Sequence, residues 1–380
     1  MNRVAVRPEL LCWARERAGR SAESLVGKFP KLKQWEHGQA RPTLKQLEQF
    51  AKATFVPVGY LFLREPPVER VPIPDLRTIS NWRINHPSPD LLDTIYLCQR
   101  RQAWYRDYAR SMFEEPRPFV GAARLDSPVE ETAAAMRDAL GFTLDARRDC
   151  PTWAEALRHF IAQADDVGVL VMVSGVVGSN NHRRLDPEEF RGFALADNLS
   201  PLVFINGADT KAAQMFTLAH ELAHLWLGES ALTDVAPASA PTQRIESWCN
   251  RVAAELLVPL AVLREELPRG DALADVPRFA RRFKVSTLVI LRRLFDARRL
   301  TRKAFEAAYE AELARLRATP RTSGGDFYLT QAARLSRRFA RALVASTLEG
   351  QTLYRDAFRM LGIAREATFR ELCANLGYPV

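Results

Sequence analysis

Apolar residues recur at helical spacing along most of this chain and cluster as strands only in its middle. Residues 8–64 read as five short helices. Arg7-Pro8-Glu9 opens the first, with proline where a first turn tolerates it; Leu10, Leu11, Ala14 and Ala18 form its stripe up to Gly19. Ser21 can cap a second helix that Gly27 breaks, and Pro30 starts a third, KLKQWEHG, closed by Gly38. Pro42-Thr43 opens a fourth with Leu44, Leu47, Phe50 and Ala51 on one face, and Pro57 to Leu63 makes a fifth. Trp35, Leu44 and Leu47 read as core of this small domain.

The proline-rich run from Arg64, REPPVERVPIPDLRTIS, reads as an extended linker. Helices are expected over 89–114, 128–141 and Thr152 to Asp165. Val167 to Val173 reads as a buried strand ended by Ser174-Gly175. FRGFALAD (190–197) and PLVFING (201–207) read as two strands around the Asn198-Leu199-Ser200 turn, the first offering an edge to which an extended peptide could pair. Asp209 or Thr210 caps a helix that stops at Gly228. A loop over 229–242 leads to the helix IESWCNRVAAELLV, stopped by Pro259. The remainder is helical, with a flexible break at Thr322-Ser323-Gly324-Gly325. The fold class expected is mostly α with an α+β core.

Composition, 47% hydrophobic and 26% charged, is that of a soluble globular protein, and 380 residues allow two or three domains. The start, MNRVAVRPELL, lacks a signal-peptide core, and the longest largely apolar run, 167–177, is too short to span a bilayer. Five dispersed cysteines with no CxxC pair argue for reduced thiols in a cytoplasm. The net charge of +9 divides unevenly: +6 over 1–65, −9 over 66–277 and +12 over 278–380. Basic ends suit nucleic acid or an acidic partner. Arg334, Arg337, Arg338 and Arg341 fall at spacings of three and four, one helical stripe. That stripe could touch nucleic acid or the acidic centre of the same chain.

The stretch FTLAHELAHLWLG, residues 216–228, carries candidate chemistry. On a helix, His220 and His224 project together, one turn apart, and can take two corners of a tetrahedral metal site. Glu221 is rotated about 100° from His220, so it can sit beside a metal without ligating it, where a base for water must be. The opposite face, Phe216, Leu218, Leu222 and Leu225, is apolar enough to bury. A catalytic zinc needs a third protein ligand and an open position. Glu246 lies 22 residues after His224, with Asn250 one turn further to support a histidine from behind the metal. Glu255 is the rival ligand; it lies on the opposite side of the same helix, and only Glu246 has a polar partner at the right offset. With one Zn2+ per chain, Glu221 takes the proton of a metal-activated water and passes it to the leaving amine. Manganese or another divalent ion also suits a site of two histidines and a glutamate. His37, His86, His159 and His182 have no such company.

An ordered set of segments resembles the ImmA/IrrE-type metallo-endopeptidases, in the long form with a fused N-terminal helix-turn-helix of the XRE type. They are WARERAG (13–19), WEHGQARPTLKQLEQFA (35–51), FRGFAL (190–195), INGADTKAAQMFTLAHELAHL (205–225), ESWCNRVAAELLVP (246–259) and GGDFYLTQAARLSRRFARALV (324–344). The resemblance implies a gluzincin-like zinc-peptidase core with a small sheet, His220, His224 and Glu246 as ligands and Glu221 as base. It divides the chain into a helix-turn-helix (1–65), a linker and helical segment (66–127), the peptidase core (128–265) and a basic helical C-terminal domain (266–380). It implies a regulatory enzyme that cleaves a helix-turn-helix repressor or partner regulator, with no membrane partner. The third short helix would enter the major groove, with Lys31, Lys33 and Gln34 facing bases or phosphates. That helix is short and proline-led, with few polar side chains for reading bases; docking another helix-turn-helix protein is its other use. The competing function is a non-catalytic DNA-binding regulator, or an antitoxin paired with an operon-encoded toxin, whose peptidase fold binds metal or a partner. Retention of Glu221 favours catalysis, because metal binding alone does not need that base.

Overall fold

Side-chain caps start many of the helices where the sequence places serine or threonine. The computed structural model describes residues 3–77, 87–233, 243–267, 271–318 and 334–378. The chain divides into two compact units, Met1–Pro72 with Ile79–Asp93, and Ile73–Thr78 with Thr94–Val380.

The first unit holds α1 (Pro8–Arg17), α2 (Ala22–Val26), α3 (Leu32–Glu36), α4 (Leu44–Ala53) and a 3-10 turn, Val58–Phe62. Ser21 caps α2, accepting from the Ser24 amide at 3.2 Å. Thr43 and Gln46 form a reciprocal capping box at α4. Leu10, Leu11, Ala14, Leu25, Phe29, Leu32, Trp35, Leu47 and Phe50 make one small core. Leu44 departs from its expected core place and is 50% exposed. It is the first residue of α4, and the stripe that faces inward begins one turn later at Leu47.

The second unit is mostly helical around a small mixed sheet. Its helices are α5 (Pro89–Ser111, from Thr94 onward), α6 (Val129–Leu140), α7 (Leu144–Arg148), α8 (Trp153–Asp166), α9 (Lys211–Leu227), α10 (Arg244–Leu257), α11 (Leu260–Glu266), α12 (Val276–Phe283), α13 (Thr287–Asp296), α14 (Arg302–Ala318), α15 (Arg337–Leu348), α16 (Tyr354–Leu361) and α17 (Glu366–Asn375). The strands are β1 (Leu170–Ser174), β2 (Val176–Val177), β3 (Asn180–Arg184), β4 (Gly192–Leu195), β5 (Leu202–Asn206) and β6 (Ala231–Thr233). The main sheet runs β1-β5-β4-β6, with β1 parallel to β5 and the other pairs antiparallel; β2 and β3 form a separate hairpin. Among the described residues no helix is long and apolar enough to cross a membrane.

Strand expectations need three corrections. The strand expected from Val167 starts at Leu170, because Val167 closes α8 and Gly168, at φ +103°, turns the chain. FRGFALAD is not an edge: β4 is buried throughout and lies between β5 and β6. The outer strand is β6, inside what reads from sequence as the 229–242 loop. The outward amide and carbonyl of Leu232 are already bonded, to the Pro74 carbonyl at 2.9 Å and the Leu76 amide at 3.0 Å. The Thr322-Gly325 break and residues 234–242 lie outside the described residues.

Helix α9 packs against β4, β5, α8 and α10. Thr210, not Asp209, caps its start, and Gly228, at φ +73°, ends it. The helix is apolar on nearly every side and is buried from Gln214 to Trp226. Gly192 of β4 permits this close approach. A Cβ there would lie 2.6 Å from Thr217 Cγ2, 2.8 Å from the Phe204 carbonyl oxygen and 3.0 Å from Glu221 Oε1. Gly192→Ala is therefore expected to destabilise the protein by about 1–3 kcal/mol, read as a lowered midpoint in denaturant unfolding.

Candidate metal centre

Helical spacing and one helix–helix contact assemble the site. On α9, His220 and His224 stack one turn apart, their Nε2 atoms 3.1 Å from each other. Helix α10 packs along α9 and brings Glu246 across from them. Glu246 Oε1 lies 3.1 Å from His224 Nε2, and Oε2 lies 3.3 Å from His220 Nε2. All three side chains are buried. Ligands about 2.05 Å from a tetrahedral zinc stand about 3.3 Å apart, so these separations fit a metal of that size. The donor set, two imidazoles and one carboxylate, leaves one tetrahedral position for water or substrate.

Burial is the largest single influence on each of these groups, though not always the one that decides the net shift. It pushes the Glu246 carboxyl up, but the two imidazoles opposite outweigh it and hold the group down at about 2. His220 feels the same burial, which favours its neutral form; Glu246 overrides it and raises the ring above its usual value. His224 is held below its usual value by burial, against the pull of Glu246. Glu221 is fully buried beside this group, and burial pushes it up to about 8 against the pull of His220 and Thr233. Its Oε1 accepts a hydrogen bond from the Thr233 hydroxyl, and its Oε2 has no partner among the described residues.

Asn250 lies near His220 and pushes its pKa slightly upward. Both amide atoms of Asn250 and Nδ1 of His220 are buried with no hydrogen bond of good geometry among the described residues. Glu255 points elsewhere: it forms a buried ion pair with Arg293 and accepts from the Leu260 amide at 3.3 Å. Arg293 also donates to the Val258 carbonyl at 2.9 Å, Arg137 to the Glu255 carbonyl at 2.9 Å and Arg147 to the Leu257 carbonyl at 2.5 Å. Three guanidinium groups thus collar the C-terminal end of α10, where the helix dipole is negative.

In the first unit, Lys31, Lys33 and Gln34 are all exposed around α3, while Leu32 and Trp35 point into the core. Lys33 pairs with Glu23 across solvent at 3.5 Å. The C-terminal arginines do not form one stripe, because α15 begins only at Arg337 and leaves Arg334 outside it. Arg338 binds its own chain, donating through its side chain to the Asp165 and Asp166 carbonyls, with Glu114 at 3.8 Å. Arg337 and Arg341 remain exposed. Of the other histidines, His37 bonds the Lys33 carbonyl at 2.6 Å, and His86 lies outside the described residues.

Sequence reasoning missed Thr233, Gly192 and the arginine collar. A glycine inside the run FRGFAL is a known mark of close backbone approach and could have flagged Gly192. Thr233 carries no local signal.

Metal content separates the two glutamates. Glu246→Ala is expected to abolish tight metal binding, measured by elemental analysis after dialysis. Glu255→Ala is expected to keep the metal but lose about 1–3 kcal/mol of stability, because Arg293 loses its buried carboxylate and keeps only Asp296, 3.3 Å from its Nη1.

Known families and proteins match parts of this chain. The model of a domain of unknown function matches residues 335–375. The radiation response metalloprotease IrrE of Deinococcus radiodurans is 38% identical over 88 residues, which cover 21% of this chain and only 27% of that relative. The model of the IrrE N-terminal-like domain matches residues 164–295, a span that contains β1 to β6, α9, α10 and the whole candidate site. The part of this chain that carries the candidate metal centre thus resembles the IrrE N-terminal-like domain.

Proposed function

We propose that this protein is a regulatory zinc metallo-endopeptidase that cleaves a transcriptional repressor or partner regulator. One observation carries the reading: three buried side chains, His220, His224 and Glu246, meet through contacts of 3.1–3.3 Å, and a fourth buried group, Glu221, stands beside them with one carboxylate oxygen unpartnered among the described residues. His220, His224 and Glu246 would hold one Zn2+. The ion would polarise the scissile carbonyl and make a water acidic enough to ionise near neutral pH. Glu221 would accept that water's proton and deliver it to the departing amine. A divalent cation held beside Glu221 would favour its carboxylate form, the form that accepts a proton. The surrounding apolar core keeps bulk water from competing for the same groups.

Selectivity rests on the rest of the chain. A metalloprotease relative whose name ties it to a radiation response supports a regulatory role over bulk digestion. The first unit, with four short helices, two of them capped by Ser21 and Thr43, and exposed Lys31, Lys33 and Gln34, fits an XRE-type helix-turn-helix that binds DNA or docks a helix-turn-helix substrate. We place the protein in the cytoplasm on its reduced cysteines.

The test uses zinc-loaded protein and purified helix-turn-helix regulators, with fragments read by mass spectrometry. Glu221→Gln is expected to keep its zinc and cleave about 10²–10⁴-fold more slowly. Full activity in that variant ends the peptidase reading. If the wild type cleaves nothing, while Lys31→Ala with Lys33→Ala abolishes DNA binding, the chain is instead a DNA-binding regulator or antitoxin with a metal-binding fold.

A further inference from the structure

Glu221 can act as a base only if its carboxylate is held at one angle. A glutamate has three rotatable bonds, and α9 fixes only its Cα. The features that restrain it lie outside the helix, on β4 and β6. These strands pair with Gly192 opposite Thr233. Thr233 donates its hydroxyl to Glu221 Oε1, and both side chains are buried. Gly192, lacking a side chain, leaves the space that Oε1 occupies, since a Cβ there would stand 3.0 Å from it. Among the described residues, Oε2 is thereby the carboxylate oxygen left without a partner.

The position of Thr233 is itself braced. Strand β6 is only three residues long and would be a weak edge alone. The segment before residue 78 lies along its outer side, bonding both outward groups of Leu232. Asp75 and Arg77 lock that segment: Arg77 donates to Asp75 Oδ1 from Nε at 2.9 Å and to Oδ2 from Nη2 at 2.7 Å, and its Nη1 reaches the Glu189 carbonyl at 3.4 Å. Arg77 is 2% exposed.

We propose that Thr233 is a positioning residue for Glu221, holding one carboxylate oxygen so that the other is presented to the reacting water. The proposal rests on the peptidase reading for its catalytic consequence but not for its geometry. A threonine whose role was only to fill space would be replaced by valine without effect, because the two have nearly the same shape. Serine keeps the donor and loses the methyl.

Thr233→Val and Thr233→Ser are compared with wild type in the zinc-loaded full-length protein, by crystal structure, metal content and cleavage of a regulator that the wild type cuts. All three proteins are expected to hold one zinc. In Thr233→Val the Glu221 side chain is expected to leave its wild-type rotamer, with kcat falling about 10–100-fold and KM unchanged. In Thr233→Ser both rotamer and kcat are expected to return to within about threefold of wild type. A Val variant with an unmoved Glu221 and an unchanged kcat overturns the proposal. If the wild type cleaves nothing, the peptidase reading fails, and the Glu221 rotamer in Thr233→Val still decides the positioning role.

Discussion

Four ionisable side chains, His220, Glu221, His224 and Glu246, are buried in the largest hydrophobic core of the chain, and the fold around them answers the cost of removing them from water. A lone buried carboxylate costs several kcal/mol, so each group needs a partner of opposite or shareable charge. Glu246 satisfies both imidazoles at once with its two oxygens. Glu221, which has no imidazole of its own to bond, takes the hydroxyl of Thr233 and is pushed toward its neutral form. A divalent ion would complete the first group by replacing close contacts between three lone-pair donors with three bonds to one cation.

That constraint explains why α10 is anchored so heavily at its far end. Glu246 sits in the first turn of α10, and a small rotation of the helix would swing it off the histidines. Arg137, Arg147 and Arg293 grip the last carbonyls of the helix, and Glu255 closes the collar by pairing with Arg293. The two glutamates of this helix thus divide the work. One faces the histidines of α9 and the other holds the helix that presents it.

The sheet serves the same group from the other side. Its strand β4 is an inner strand that brings Gly192 against α9, and β6 reaches Glu221 through Thr233. The segment from Pro74 to Arg77 closes the outer side of β6. A peptide that pairs with this edge at Leu232 has to take the place of that segment, because the backbone groups it would use are already bonded.

Local sequence carried a large part of this. The helices were legible because their signals are local: serine and threonine caps, Gly228 at the end of α9, and apolar residues at helical spacing. The pairing of His220 with His224 follows from 3.6 residues per turn, and the Asn250 offset favoured Glu246 over Glu255 without deciding between them. What the sequence could not reveal depends on contacts between distant residues. A three-residue strand such as β6 has too few positions to display a period, so it read as loop. Whether FRGFAL is edge or centre depends on what pairs beside it, which lies 41–43 residues downstream of its start in a stretch with no strand signal of its own. Leu44 read as core because it is apolar, yet its place in the first turn of α4 turns it outward. The sequence by itself determined which helices exist and which faces carry the ligand types. Only the tertiary structure decided which glutamate meets the histidines, which hydroxyl holds Glu221 and which strand closes the sheet, because each is a distance between residues that the order of the chain leaves free.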